Sequence, residues 1–125
     1  DVDRFKNATG IPCQLNIHLS EFFEEEKAEQ LYRAISESLT NIARHARASA
    51  VMVSIDEKAG QIEAVVSDNG IGFDYEKEHA QLGHYGLLGI KERVRLAGGK
   101  LDINSQPGLG TKISISIPMG EKVNA

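Results

Sequence analysis

Glu37 and Asn41 stand four residues apart in the run ESLTNIARHA, and Arg44 and His45 follow within another turn. On a helix the first two lie one above the other. Glu37, Asn41 and Arg44 share a face opposite an apolar stripe of Leu31, Ile35, Leu39, Ile42 and Ala46. Carboxylate and carboxamide oxygens are hard ligands suited to Mg²⁺, directly or through its waters. A neighbouring arginine or histidine suits phosphate. By itself the column is also compatible with an ordinary solvated helix face.

A second group sits in SDNGIGF, residues 67–73, directly after the alternating run QIEAVVSD. Asn69-Gly70 behind such a run signals a hairpin turn. A hairpin needs a returning strand, and the following FDYEKEHAQLGHYG has no alternation. The other reading is that Asp68 closes a strand and faces a cleft. An ionised carboxylate only accepts hydrogen bonds, so it selects a ligand edge that donates. Adenine offers an amine at such an edge, where guanine offers a carbonyl. Gly70 and Gly72 lack Cβ, which lets backbone approach a flat ring closely. Further on, Gly83, Gly86 and Gly89 bracket a loop-to-helix junction in GHYGLLGI. Unpaired N–H groups at a helix start attract phosphate, although a flexible loop with an N-cap glycine has the same spelling. Thr111 in GLGT serves either as a plain strand residue or as a hydroxyl reaching a ligand.

These residues need a frame to position them. PCQLNIHL alternates as a strand, and residues 27 to about 46 repeat at helical spacing, with the acidic run EFFEEE at 21–26 as the helix start. SAVMVSIDE and GQIEAVVSD are strands rich in β-branched residues, joined as a hairpin through KAG. Residues 74–85 read as a loop. GLLGIKERVRLAGG reads as a helix with Leu88, Val94, Leu96 and Ala97 as core candidates and Gly98-Gly99 as its stop. KLDINSQ and GTKISISIP are strands joined by PGLG. Strands outnumber helices and are mostly joined by short links. This predicts an α/β two-layer sandwich, a mixed and mostly antiparallel sheet with helices on one face.

The 125 residues suit a single domain, and 41% hydrophobic with 26% charged residues is a globular composition. A net charge of −4 argues against a dedicated nucleic-acid binder. The one cysteine, Cys13, lies in a strand pattern and reads as a buried structural thiol, compatible with a reducing compartment. No apolar run approaches a membrane span. The opening DVDRFKNATG has no initiator methionine and reads as the start of a piece from a longer protein.

ESLTNIARHA, DNGIGF, GHYGLLGIKERV and GLGTKISISIP, in this order and spacing, resemble the N box, the two glycine boxes and the final Gly-Thr element of the GHKL ATPase superfamily. The chain looks most like the catalytic ATP-binding domain of a bacterial sensor histidine kinase, similar to the nitrate/nitrite-sensor subfamily. The resemblance runs from TGIPCQL to SISIP and implies a Bergerat-type ATP-binding fold, with ATP and Mg²⁺ as cofactors. It implies that Asn41 coordinates Mg²⁺ and that Glu37 polarises or orients a group beside the transferred phosphoryl. Arg44 and His45 would contact phosphates, with Ala46 beside them; relatives often carry lysine where Arg44 stands. Asp68 would receive the adenine amine, Gly70 and Gly72 would shape that pocket, and Gly110 and Thr111 would close its side. Residues 83–89, with His84, Tyr85, Gly86, Leu87 and Leu88 among the ATP contacts, would form a lid.

His18 and His79 read as bystanders, and no histidine here carries the phosphoacceptor motif of such kinases. The resemblance therefore implies a separate dimerisation and phosphoacceptor domain, a downstream response regulator, and a homodimeric parent of which this piece alone would be monomeric. A cytoplasmic location follows for the domain. An anti-sigma-factor-type serine kinase, a GHKL ATPase clamp and a binding module without transfer activity are the alternatives. The clamps need a lysine from a further domain, which nothing after SISIPMGEKVNA supplies.

Overall fold

Alternation along the strands builds a sheet with one apolar and one polar face. The computed structural model describes residues 10, 13–18, 25–42, 47–71 and 87–119. Their elements run β1 (Cys13–His18), α1 (Glu25–Asn41), β2 (Val51–Lys58), β3 (Gln61–Asp68), α2 (Leu87–Leu96), β4 (Lys100–Ser105) and β5 (Thr111–Pro118). The five strands lie in the order β1-β2-β3-β5-β4. β1 and β2 pair in parallel across the α1 crossover, and the other three pairs are antiparallel. This is the expected mixed sheet. The β2–β3 hairpin turns on Ala59 and Gly60, both at positive φ, as a tight two-residue turn with right-handed strands requires.

Val53, Val66, Ile113 and Ile103 sit side by side across four strands and are all buried. Ile62, Ala64, Ile115 and Ile117 extend the same face. Their alternating neighbours, among them Glu63, Lys112, Asp102 and Lys100, face the other way and are exposed or half-buried. Both helices cover the apolar face. α1 buries Leu31, Ala34, Ile35, Ser38 and Leu39, and packs along α2. Ser38 satisfies its buried hydroxyl on the Ala34 carbonyl at 2.8 Å. Each fully buried isoleucine contributes about 1.5–3 kcal/mol through area removed from water. Cys13 is buried as expected.

Glu25 and Glu26 of the acidic run lie in the first turn of α1 against the positive end of the dipole, as expected; positions 21–24 and 43–46 lie outside the described residues. One sequence expectation shifts. On α2 the buried stripe is Ile90, Val94 and Ala97, whereas Leu96 is exposed. Leu96 lies two positions from Val94, about 200° around a 3.6-residue helix, and points to solvent. The side chain of Leu88 and the loop expected at 74–85 lie outside the described residues. α2 stops as expected at Gly98-Gly99. The Gly99 N–H donates to the Val94 carbonyl and the Gly98 N–H to that of Arg95, both at 2.9 Å, which is a Schellman closure.

Candidate functional site

The apolar rows of the sheet end in polar residues at one edge. On β3 the inward positions run Ile62, Ala64, Val66 and then Asp68. On β5 they run Ile117, Ile115, Ile113 and then Thr111, and on β4 they end in Ser105. Register places Asp68 opposite both Val51 and Thr111, and Thr111 opposite Ser105. The result is a row of Asp68, Thr111 and Ser105 where a further apolar layer would otherwise lie.

That row is held tightly. Asp68 Oδ1 accepts the Gly70 N–H at 2.7 Å, an Asx turn that takes the chain off the strand. Ser105 and Thr111 join their hydroxyls at 2.7 Å, and Ser105 Oγ also donates to the Gly110 carbonyl at 3.3 Å. Gly110 has φ +79, and a Cβ there would run into the Asp68 carbonyl oxygen, so both conformation and space require glycine. Asn69 acts as a clamp. Its Oδ1 accepts the N–H groups of Ser49 and Ala50, each at 2.9 Å, and its Nδ2 donates to Ser49 Oγ at 2.8 Å. The Gly108 N–H donates to the Ile71 carbonyl, tying the β4–β5 turn to the same segment. A cleft of about 500 Å³ opens at this end of the sheet, lined by Cys13, Gln14, Ala50, Val51, Met52, Ser67, Asp68 and Asn69. It meets the polar row at Asp68 and Asn69 and extends past the outward residues Gln14, Met52 and Ser67, without reaching Gly110, Thr111 or Ser105. Burial pushes the Asp68 carboxyl above the usual carboxylate range, and backbone hydrogen bonds from Gly70 and Thr111 pull it partly back.

A second polar group lies in the seam between α1 and α2. Glu37 and Asn41 are both half-buried, not solvated. Glu37 Oε2 and Asn41 Nδ2 are buried and have no hydrogen-bond partner among the described residues. The Glu37 carboxylate lies over Gly89, where a Cβ would come 2.6 Å from Oε2. Arg93 Nε stands 3.6 Å from Oε1. No group of three or more His, Cys, Asp or Glu positioned for a metal occurs among the described residues. The unpartnered atoms are a buried carboxylate oxygen and an amide N–H group, and the latter, as a donor, suits a phosphate oxygen. A Mg²⁺ carried on phosphate oxygens with most of its waters kept would be held through the Asn41 carboxamide oxygen.

The structure thus gathers Asp68, Gly70, Gly110 and Thr111 into one cluster and Glu37 with Asn41 into another. Arg44, His45, Ala46, Gly72, His84, Tyr85 and Gly86 lie outside the described residues. Leu87 and Leu88 begin α2, the helix expected from GLLGIKERVRLAGG, and Gly89 lies inside it against Glu37. Sequence reading missed Ser105, the clamp of Asn69, and Arg93. The signal for Ser105 was the alternation of β4, which ends on a polar residue in step with Asp68 and Thr111. Arg93 carried no sequence signal, because only the helix crossing brings it to Glu37.

Residues 26–121 match the family described as histidine kinase-, DNA gyrase B-, and HSP90-like ATPases. The sensor histidine kinase YdfH of Bacillus subtilis (strain 168) is 43% identical over 119 residues, covering 94% of this chain and 29% of that protein. The histidine-protein kinase/phosphatase DegS of Brevibacillus brevis is 40% identical over 119 residues, covering 94% of this chain and 30% of that protein. Among solved structures, the blue-light activated histidine kinase of Erythrobacter litoralis EL346 superposes with a TM-score of 0.81 at 25% identity, over 94% of this chain and 39% of that one. The chain spans less than a third of the length of these two curated relatives. It belongs to this ATPase family and is homologous to the ATPase domain of sensor histidine kinases.

Proposed function

We propose, from membership of that ATPase family, that the chain is the catalytic domain of a two-component sensor kinase. It would bind ATP with Mg²⁺ and pass the γ-phosphoryl group to a histidine on a separate dimerisation domain. The observation that carries this reading is the half-buried Asp68 at the end of an otherwise apolar row. A carboxylate there costs desolvation free energy and adds nothing to the fold's hydrophobic packing. It is accounted for by a ligand that donates to it, and the adenine amine does so. Gly70 and Gly110 keep the backbone close around that edge, and Thr111 flanks it.

The helix seam would serve the triphosphate end. Asn41 would hold the Mg²⁺ through its carboxamide oxygen. When bound, the cation neutralises phosphate charge and lowers the cost of bringing a nucleophile to the γ-phosphorus. Glu37 would orient or polarise the group beside the transferred phosphoryl. An imidazole nitrogen attacks phosphorus, the bond to the bridging oxygen breaks, and ADP leaves with that electron pair. The protein's share is positioning and charge placement. The downstream acceptor would be a response regulator, the parent a homodimer and the location cytoplasmic. Among the described residues no helix is long and apolar enough to cross a membrane.

The test is calorimetry with ATP and GTP on the chain and on Asp68→Asn. Wild type should prefer ATP. The variant places an amide where a donor already sits, and should lose at least about tenfold in ATP affinity, the cost of one unmade charged hydrogen bond. Unchanged ATP affinity in Asp68→Asn would remove the adenine assignment.

A further inference from the structure

Three features of the helix seam converge on one side chain. Gly89 and Arg93 are four residues apart on α2 and so share a face, and that face meets Glu37 of α1. The carboxylate lies flat over Gly89, with the position of a Cβ there 2.6 Å from Oε2, 3.1 Å from Cδ and 3.3 Å from Oε1. Arg93 reaches Oε1 at 3.6 Å, longer than a hydrogen bond. The other arginine of this turn, Arg95, is engaged instead with Glu92 on the helix surface. Arg93 points the other way, toward Glu37.

A glutamate has three side-chain torsions and settles only when something fixes them. α1 does not do this: Oε2 is buried and finds no partner among the described residues. The gap at Gly89 admits the carboxylate, and the guanidinium attracts it without taking an oxygen as a full hydrogen-bond acceptor. Oε2 is buried against Gly89, while Oε1 makes no full hydrogen bond and keeps its capacity for a ligand group, its location set from α2. Both side chains are about one third exposed, at 32% and 36%, which weakens the pair as a source of fold stability. Its geometry suits placement better than stabilisation.

We propose that Arg93 is a positioning residue for phosphoryl transfer, acting through Glu37 with Gly89 as the seat. The proposal rests on the reading of Glu37 as the group beside the transferred phosphoryl. It locates the control of that group on α2, a different element from the one that bears it.

The experiment measures phosphotransfer from ATP in the full-length kinase carrying Arg93→Ala, Arg93→Lys, Gly89→Ala, Glu37→Gln and the double variant of Arg93→Ala with Glu37→Gln. Arg93→Ala should lower kcat by about tenfold or more and leave KM for ATP within about twofold, the pattern of an interaction felt at the transition state. Arg93→Lys should recover part of the loss, since it keeps charge but not the planar fork. In the Glu37→Gln background Arg93→Ala should cost nothing further, because the two act as one unit. A readout independent of catalysis is the Glu37 side-chain ¹³C resonance in the nucleotide-free chain, which should move in Arg93→Ala while the melting temperature stays put. Gly89→Ala should move the same resonance by displacing the carboxylate. An Arg93→Ala protein with wild-type kcat beside a defective Glu37→Gln would overturn this inference alone. Wild-type kcat in Glu37→Gln would overturn the reading beneath it. A fall in melting temperature with an unmoved resonance would make Arg93 structural and end the proposal.

Discussion

The two polar regions of this molecule are built on opposite terms. At the sheet end, Asp68 accepts from Gly70, Asn69 from Ser49 and Ala50, and Ser105 bonds Thr111 and Gly110, all within the fold. In the helix seam, Glu37 and Asn41 each bury an atom that has no partner among the described residues. A region that closes its own hydrogen bonds is preorganised and presents one shape to a ligand. A region with open valences is completed by what binds it, since a buried polar atom without a partner costs about 1–3 kcal/mol. The contrast fits a rigid purine site coupled to a phosphate site that waits for charge and metal.

The contrast breaks most visibly at Gly110. Gly110→Ala forces a side chain into the left-handed region and against the Asp68 carbonyl. It should cost about 2–4 kcal/mol in a denaturant titration, from backbone strain and overpacking together. Nucleotide binding should fall with it. A loss under about 1 kcal/mol would show that the sheet end yields, against the preorganised reading.

Acid should separate binding from stability at Asp68. Its carboxyl is raised by burial, so the neutral form favours the folded state. That stabilisation is complete below the ordinary carboxylate value and is lost as pH rises through the raised one. Binding runs the other way, because only the carboxylate accepts from the purine. ATP affinity should drop as pH falls through the raised value, by up to about tenfold per unit below it. Asp68→Asn should flatten this dependence. An affinity that is level from neutrality down to the ordinary carboxylate range would exclude Asp68 from the contact.

The smallest effect on the fold belongs to Asn41. Its buried Nδ2 has no partner among the described residues, so Asn41→Ala should shift unfolding free energy by less than about 1 kcal/mol. It should nevertheless abolish the Mg²⁺ dependence of ATP binding. An unaltered Mg²⁺ titration would take the metal away from Asn41.

Much of this was legible in the chain. Helical spacing marked α1, and alternation marked β2, β3 and β5, because each element buries one face against a shared core. Asp68 stood out as an acid at the end of an apolar alternation. Other features were hidden for physical reasons. Leu96 has the composition of a core residue, and only its rotation about α2 makes it exposed. Ser105 has meaning only through its register with Thr111, which in turn stands opposite Asp68, forty-three positions earlier in the chain. Gly89 read as part of a loop-to-helix junction, and only the helix crossing reveals the Glu37 carboxylate lying against it.

The sequence by itself determined where strands and helices lie, where α2 stops, and which side chains bring carboxylate and carboxamide groups to the candidate site. Local backbone preferences and the period of apolar residues act over a few positions, so they are written in order along the chain. The tertiary structure alone decided that Asp68, Thr111 and Ser105 form one row and that Arg93 answers to Glu37. Those pairings depend on sheet order, register and the crossing of two helices, which the packing of the whole core sets.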